Sequence, residues 1–493
     1  MKDINLLVHA YSTKALSKDQ LSIYNRFESG TPSDNNRLCD EENLKSFIKL
    51  LKIRGFEFYE HFYWSFTIPQ ISKEFDILRI SDDSVVNIEL KSEDNPEKIE
   101  EQLNQNRYYL NSLNRKNIFC YAYVSENNKL YTLYETAIIE TKVEELILDL
   151  SKQTNIVHGI NLEEMFKPNQ FLVSPFNDVD KFLKNEYFLT DHQMNIVNKI
   201  KNCVNEDRRY VFSFIGDAGT GKTLLTYDLY KSLVSMGVKT AIFHCANLND
   251  GQKTLISNGY TIYPIKKYDK FSYEDYRVLI IDESQRLYDE QIEFILSKSD
   301  EYKFCIVFSY DPKQYLCKKE EMSNVIEKIT STHDFEFKLT NKIRCSEEIQ
   351  SISKDLFNLC HRTMTIYQNV KLFKFRTYEK TREYIEFQTK SNSWVYINYT
   401  TSLYKSERFD ELSSVTFGNA HQVIGQEYDK VIVTINEDFF YEDKILKSRD
   451  SKNPYIAVKM LYEAITRCRE ELIIIVIKND ELFNQVLEML NKK

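Results

Sequence analysis

Apolar and polar positions change their rhythm along this chain. In "EENLKSFIKLLKIRG" (41–55) the apolar residues recur at helical spacing and stop at Gly55, which predicts an amphipathic helix. "KEFDILRI" and "SVVNIELK" flank the turn "SDDS" and predict two paired strands. "EKIEEQLNQNRYYLNSL" returns to helical spacing, and "IFCYAYV" and "KLYTLYE" follow as further strands. "HFYWSFTI" supplies an earlier strand, so the order is helix, three strands, helix, strands. Beyond residue 187 apolar strands such as "YVFSFI", "VLIID" and "LIIIVI" alternate with helices, the signature of parallel α/β layers.

Between these regions lies "FKPNQFLVSPFNDVDKFLKNE" (166–186), with two of the 8 prolines and several Asn and Asp, which reads as a linker. The predicted organisation is an N-terminal domain over 1–165, that linker, and two lobes over 187–336 and 337–493. A length of 493 residues exceeds one ordinary core and fits this division.

Composition narrows the class. Apolar content of 42% with 28% charged residues describes a soluble globular protein. The net charge of −9 argues against a uniformly basic nucleic-acid coat but leaves room for a local basic channel. The 9 cysteines are scattered without CxxC spacing, which points away from a zinc knuckle and towards reduced thiols in a cytoplasmic protein. "INLLVHA" is too short and polar-flanked for a signal peptide, and no run is membrane-sized. The 33 Tyr and 31 Phe beside only 11 Gly resemble a coding bias and are not read as a binding signature; "IKKYDK" and "CKKEE" are read as solvated faces.

The strongest chemical signal is "FIGDAGTGKT", in which Gly216, Gly219 and Gly221 precede Lys222 and Thr223 between a strand and a helix. Backbone N–H groups of such a loop bind phosphate oxygens, Lys222 reaches the β- and γ-phosphates, and Thr223 ligates Mg²⁺. "RVLIIDESQRL" then ends a strand with Asp282 for the metal's outer sphere and Glu283 to orient or deprotonate the attacking water. ATP and Mg²⁺ are the cofactors this pair predicts.

From here the chain resembles superfamily 1 helicases of the UvrD/RecD-like branch. "FLTDHQ" resembles the element whose Gln reads adenine, here Gln193, and "FSYDPKQ" the third motif, with Gln314 as γ-phosphate sensor. "LTNKIRCSEEI", "NAHQVIGQEYDKVIV" and "LYEAITRCREELIIIV" resemble the later motifs, with Arg344, Gly425 and Glu427, and Arg467 respectively. The resemblance implies two RecA-like lobes whose facing arginines stabilise transition-state charge when the cleft closes. It departs at Tyr310, where the family usually has Gly, and in "TAIFHCAN", which lacks the usual Thr-Pro-Thr of the strand-contacting segment. Short gaps from Lys222 to Asp282 and from Arg344 to Gly425 leave no room for duplex-splitting insertions, so strand tracking is expected rather than processive unwinding.

In the N-terminal region "VVNIELKSE" carries Glu89-x-Lys91. With "SDDS" as the turn, Asp76 lies across from Glu89 with Cβ atoms about 5 Å apart, and Lys91 shares the face of Glu89. Opposed carboxylates repel unless a cation lies between them, which predicts Mg²⁺ or Mn²⁺ held by Asp76 and Glu89. The plainer reading of a bare Glu-x-Lys is one solvated acid and one ion pair. The order of elements resembles the PD-(D/E)xK nuclease core, and Gln102 with Tyr108 resembles the Gln…Tyr element of RecB-type nucleases; Glu42 is a weaker candidate ligand and reads more simply as a solvated helix acid.

The expected fold class is therefore α/β, a restriction-endonuclease-like mixed sheet with flanking helices followed by two RecA-like parallel lobes. The resemblances imply an ATP-driven, metal-dependent nuclease acting on nucleic acid, DNA favoured over RNA, of the type found in bacterial phage defence or restriction. An ATPase switch with a degenerate N-terminal module, a Schlafen-like RNA-directed nuclease and a DNA-repair enzyme are the alternatives. No membrane partner is expected, and a homo-oligomer or a defence-system partner protein is left open.

Overall fold

Asn5 accepts the backbone N–H of Val8 and so caps a first helix, α1 (Leu6–Ser12). It is followed by α2 (Lys18–Glu28) and α3 (Arg37–Ile53). The first two helices are not signalled by a long apolar stripe; a buried polar cluster ties them down instead. His9, fully buried, meets Glu28 through Nδ1 and Glu41 through Nε2 (3.1 Å), and the Thr13 hydroxyl donates to the second oxygen of Glu41 at 2.8 Å. Burial alone would lower the imidazole, but hydrogen bonds and charge from Glu28 and Glu41 raise it from 6.5 to about 9.

This linkage has a sign. A base raised on folding contributes stability that is complete below pH 6.5 and is lost as pH rises through about 9. His9→Phe is expected to remove a pH-dependent contribution on the order of 3 kcal/mol to the N-terminal unit between about pH 6 and about pH 10. Trp64, whose ring centroid lies 5.5 Å from that of His9, reports this by fluorescence during denaturation in a Trp394→Phe background.

The sheet that follows comprises β1 (Tyr63–Thr67), β2 (Glu74–Ile80), β3 (Ser84–Lys91), β4 (Asn117–Val124), β5 (Lys129–Tyr134) and β6 (Ala137–Thr141), ordered as in sequence. Helix α4 (Pro96–Leu110) is the crossover between β3 and β4, the one parallel pair; α5 (Val143–Lys152) closes the layer. The hairpin pairs Ile77 with Ile88 and Ile80 with Val85, the register expected from the "SDDS" turn. Ile77, Val86 and Ile88 share one core with Leu44, Phe47 and Leu146. Strand alternation turns Asn87 and Glu89 to the opposite face, beneath α4.

The structure, a computed structural model, describes residues 2–14, 16–28, 37–68, 73–159, 162–166, 173–206, 208–340, 346–361, 367–400, 408–449 and 454–491. The chain forms two compact units, Met1–Phe171 and Leu172–Lys493. The first unit ends after a single turn, α6 (Leu162–Met165).

The second unit begins inside the expected linker. Val173, Phe176 and Phe182 are buried in its core, and α7 (Val179–Leu183) is helical, so this part of 166–186 is packed structure. Its Asn and Asp residues serve a turn, in which the Ser174 hydroxyl bonds Asn177 and the Ser174 N–H donates to Asp178. Then come α8 (Asp191–Val204), β7 (Val211–Gly216), α9 (Lys222–Ser235), β8 (Thr240–His244), α10 (Asp250–Ser257), β9 (Ile262–Pro264), β10 (Val278–Asp282), α11 (Asp289–Tyr302) and β11 (Cys305–Tyr310). The short α12 (Lys318–Glu321), α13 (Val325–Thr332) and β12 (Phe335–Leu339) complete the first lobe. Its sheet is all parallel, in the order β12-β7-β11-β10-β8-β9. Pairing of β12 with β7 carries this lobe through Leu339, past the expected boundary at 336; "FEFKL" is a half-exposed edge strand whose pattern gave no sign of its sheet.

The second lobe contains α14 (Glu347–Asp355), β13 (Val370–Phe375), α15 (Tyr378–Ser391), β14 (Val395–Asn398), β15 (Gly418–Asn419), β16 (Tyr428–Ile435), the hairpin β17 (Phe439–Glu442) with β18 (Ile445–Ser448), α16 (Ala457–Thr466), β19 (Cys468–Ile477) and α17 (Asp480–Leu490). Its sheet is parallel, in the order β13-β19-β16-β14-β15. Among the described residues no large insertion interrupts either lobe, and no helix is long and apolar enough to cross a membrane.

Candidate functional site

The first site lies where β7, β8 and β10 end at one edge of the first parallel sheet, the edge at which such sheets bind ligands. A Cβ on Gly216 would fall 2.4 Å from Thr220 Oγ1 and 2.9 Å from the Leu339 carbonyl, so the loop closes only on glycine. Gly219 and Gly221 hold left-handed φ values of 78° and 86°, and α9 starts at Lys222. Lys222 Nζ donates to the carbonyls of Gly216 (2.6 Å) and Asp217 (3.0 Å) and lies 3.9 Å from Asp311 Oδ2. Thr223 is half-buried in the first turn of α9.

Asp282 stands beside His244 on the neighbouring strand, with His244 Nδ1 3.0 Å from Asp282 Oδ2. Glu283 leaves the strand in a left-handed conformation, φ 58°, and accepts from Gln285 Nε2 at 2.7 Å. Burial would raise its carboxyl, but Arg286, Lys222 and Arg467 together outweigh that and hold it below its ordinary value. Glu283 is thus an ionised acceptor, suited to orienting a water rather than to holding a proton at rest. Burial raises Asp311, with Lys222 only partly offsetting it.

Gln314 is buried, and its side-chain Nε2 has no hydrogen-bond partner among the described residues. An orphaned buried donor costs about 1–3 kcal/mol, and a phosphate oxygen would satisfy it. Gln193 is engaged at both ends: Oε1 accepts from the Thr190 N–H (3.0 Å) in a capping box, and Nε2 donates to the Thr220 carbonyl (3.3 Å). Each end of the amide keeps one further hydrogen-bonding position, a second N–H and a second lone pair.

From the second lobe, Arg467 caps the C-terminus of α16, with Nη2 2.9 Å from Glu463 Oε1 and Nη1 3.4 Å from the Gln426 carbonyl. The Glu427 backbone N–H donates to Asn177 Oδ1 at 3.0 Å, and its side chain is buried. Gly425 has φ 75°, and a Cβ there would fall 2.6 Å from the Phe176 ring. Arg344 lies outside the described residues. Beside these groups a cavity of ≈ 380 Å³ opens between the lobes, lined by Asn247, Lys266 and Arg286 from the first and His421 and Ile424 from the second. Lys266, in the "IKKYDK" run, is exposed, as that run's reading as a solvated face expects, and it also borders this cavity.

The second site lies in the N-terminal unit, under α4. Continuing the hairpin register places Asp76 opposite Glu89, and Asp76 Oδ2 accepts the Leu90 N–H at 2.8 Å. Burial raises the Asp76 carboxyl well above 3.8, the Glu89 charge adds to this, and Lys91 only partly opposes them. Glu89 is 2% exposed, and its two oxygens are held unequally. Oε1 accepts from Asn106 (2.7 Å) and Asn87 (3.3 Å), whereas Lys91 Nζ and Gln102 Nε2 both stand at 3.4 Å from Oε2. Burial would lower the Lys91 ammonium, but Glu89 and Asp76 raise it, so it is a firm cation.

Other side chains bear on this face as well. Asp40, on α3, is the third acid whose field reaches Asp76 and Lys91, whereas Glu42 is exposed. Asn106, not predicted, lies one helical turn after Gln102 and holds Glu89 directly. Tyr108 is half-buried, its ring edge-on to Tyr109 at 5.4 Å. Among the described residues no three His, Cys, Asp or Glu side chains form a ready metal cage. A divalent cation here would rest on Asp76 and the loosely held Glu89 Oε2, with water or substrate oxygens completing its shell.

Comparison with known proteins bears on the second unit. The family described as the viral superfamily 1 RNA helicase core domain matches residues 215–476. Among solved structures, the Pif1 helicase from Candida albicans is similar at TM-score 0.34 and 13% identity, over 61% of this chain and 99% of that one. No curated protein matches the chain.

Proposed function

The chain belongs to the viral superfamily 1 RNA helicase core family, and from that premise we propose that its ATP-hydrolysing, nucleic-acid-binding motor serves a metal-dependent phosphodiesterase in the N-terminal unit. In the motor, backbone N–H groups of the 216–221 loop and Lys222 bind the β- and γ-phosphates, and Gln314 donates to the γ-phosphate. Thr223 and Asp282 would hold Mg²⁺, which when bound neutralises charge on the phosphates. Glu283 orients a water for in-line attack on the γ-phosphorus. The bond to the β–γ bridging oxygen breaks, and Arg467 stabilises the charge that develops. Uninterrupted lobes favour tracking along a strand over prying a duplex apart.

The observation that carries the nuclease reading is the single face shared by Asp76, Glu89, Lys91 and Gln102, with two carboxylates opposed in a buried setting. Asp76 and Glu89 would hold Mg²⁺ or Mn²⁺, whose Lewis acidity would polarise the phosphodiester. Lys91 stands where it can neutralise the attacked phosphate, and Asn106 fixes the Glu89 rotamer. DNA is the favoured polymer, with RNA kept in the same assay because the matched family is named for RNA helicases. A place in phage defence or restriction fits a motor joined to such an enzyme.

Cleavage of single- and double-stranded DNA and RNA, with and without ATP and Mg²⁺, tests this reading. Glu89→Ala and Lys91→Ala are each expected to reduce cleavage by about 10²-fold or more, the scale of losing a group that stabilises transition-state charge. Cleavage that survives both changes would leave the N-terminal unit as a binding module and the protein as a nucleic-acid-gated ATPase switch.

A further inference from the structure

Arg467 does not meet the first lobe alone. Four buried ionisable side chains act on one another here, Glu283 and Arg286 from the first lobe and Glu463 and Arg467 from the second. Arg286 Nε lies 3.6 Å from Glu283 Oε2, and its Nη1 3.4 Å from Glu320 Oε1. Glu463 sits one turn before Arg467 on α16, is 1% exposed, and brings Oε1 within 2.9 Å of Arg467 Nη2. That contact is an ion pair without hydrogen-bond alignment, and Glu463 Oε2 has no hydrogen-bond partner among the described residues. Burial raises the Glu463 carboxyl above its ordinary value, and Arg467 first and Arg286 next offset this only in part.

We propose that Glu463 is a positioning residue that parks the Arg467 guanidinium beside its own carboxylate and yields it when a γ-phosphate competes. The role rests on the ATPase reading above. The geometry suits exchange: the contact with Glu463 is unaligned, so no aligned hydrogen bond to that carboxylate is lost when Arg467 turns away. Glu463 is not then stranded, because Arg286 remains in the same buried cluster. Parking therefore opposes nucleotide binding by the free energy of the Glu463–Arg467 contact.

Binding of a non-hydrolysable ATP analogue is compared in wild type, Glu463→Gln, Arg467→Ala and the double variant, with circular dichroism to verify folding. Glu463→Gln is expected to bind about tenfold tighter, the lower end for a close buried charge pair, with a matching fall in KM for ATP. In the Arg467→Ala background the same change is expected to have no effect. Equal tightening in both backgrounds would mean that Glu463 merely repels the nucleotide, and unchanged binding of Glu463→Gln would also overturn parking. If Glu463→Gln fails to fold, Glu463→Asp, which draws the carboxylate back by one methylene, should tighten binding by a smaller factor; no tightening counts against the proposal. Hydrolysis by wild type that is insensitive to Lys222→Ala would instead bring down the ATPase reading itself.

Discussion

Lys222→Ala is expected to slow nucleic-acid-stimulated ATP hydrolysis by about 10²–10³-fold while nucleic-acid binding persists. At rest the ammonium spends its hydrogen bonds on the Gly216 and Asp217 carbonyls, so it is already aimed into the phosphate loop. An incoming γ-phosphate replaces neutral carbonyls with charged oxygens, and the gain is greatest as charge builds on the breaking bond. Alanine removes that gain and leaves the buried Asp311 without its nearby cation. Steady-state hydrolysis with and without single-stranded nucleic acid measures the effect. Stimulation that persists would place hydrolysis at another site.

Asp76→Asn is expected to split activity from stability. Cleavage should fall by about 10³-fold, because a neutral amide is a poor partner for a divalent cation whose stabilisation is worth several kcal/mol. Stability should move the other way. The Asp76 carboxyl is raised on folding by burial and by Glu89, so its stabilising contribution is complete below 3.8 and is lost as pH rises through the higher folded value. At neutral pH asparagine removes opposed like charge, worth about 1 kcal/mol in a sheet, and can still accept the Leu90 N–H. Thermal unfolding should show the variant above wild type near neutrality and level with it in acid. Added Mg²⁺ or Mn²⁺ should raise the wild type and not the variant. A wild type indifferent to both metals would count against a cation between Asp76 and Glu89.

These two sites were unequally readable from residues alone. The phosphate loop and the acidic strand end announce themselves because each needs particular residue types at fixed separations next to a strand, and Lys222, Asp282 and Glu283 lie at the edge those separations imply. The Asp76–Glu89 register followed from one short turn, since a two-strand ladder leaves no freedom once its loop is set. Singling out Asp40 required the phase of a helix against a sheet, and a short apolar stripe does not define that angle. Glu463 was invisible because a glutamate in an amphipathic helix ordinarily points to water, whereas here it is 1% exposed within reach of Arg286 and Glu283 from the first lobe. The stretch around Phe176 was misread for a related reason. Asn, Asp and Pro mark a turn equally well in a tether and in a packed corner, and burial alone separates the two.

Phe176 bears on both lobes at once. Its backbone fills the space a side chain on Gly251 would need, its ring fills that beside Gly425, and the same ring stands edge-on to Tyr227 at 4.9 Å. Sliding one lobe against the other must lift this ring from one of its seats and wet aromatic surface, a penalty on the order of 1.5–3 kcal/mol for full exposure. Any change in the spacing of the lobes would therefore meet a restoring force that comes from this packing.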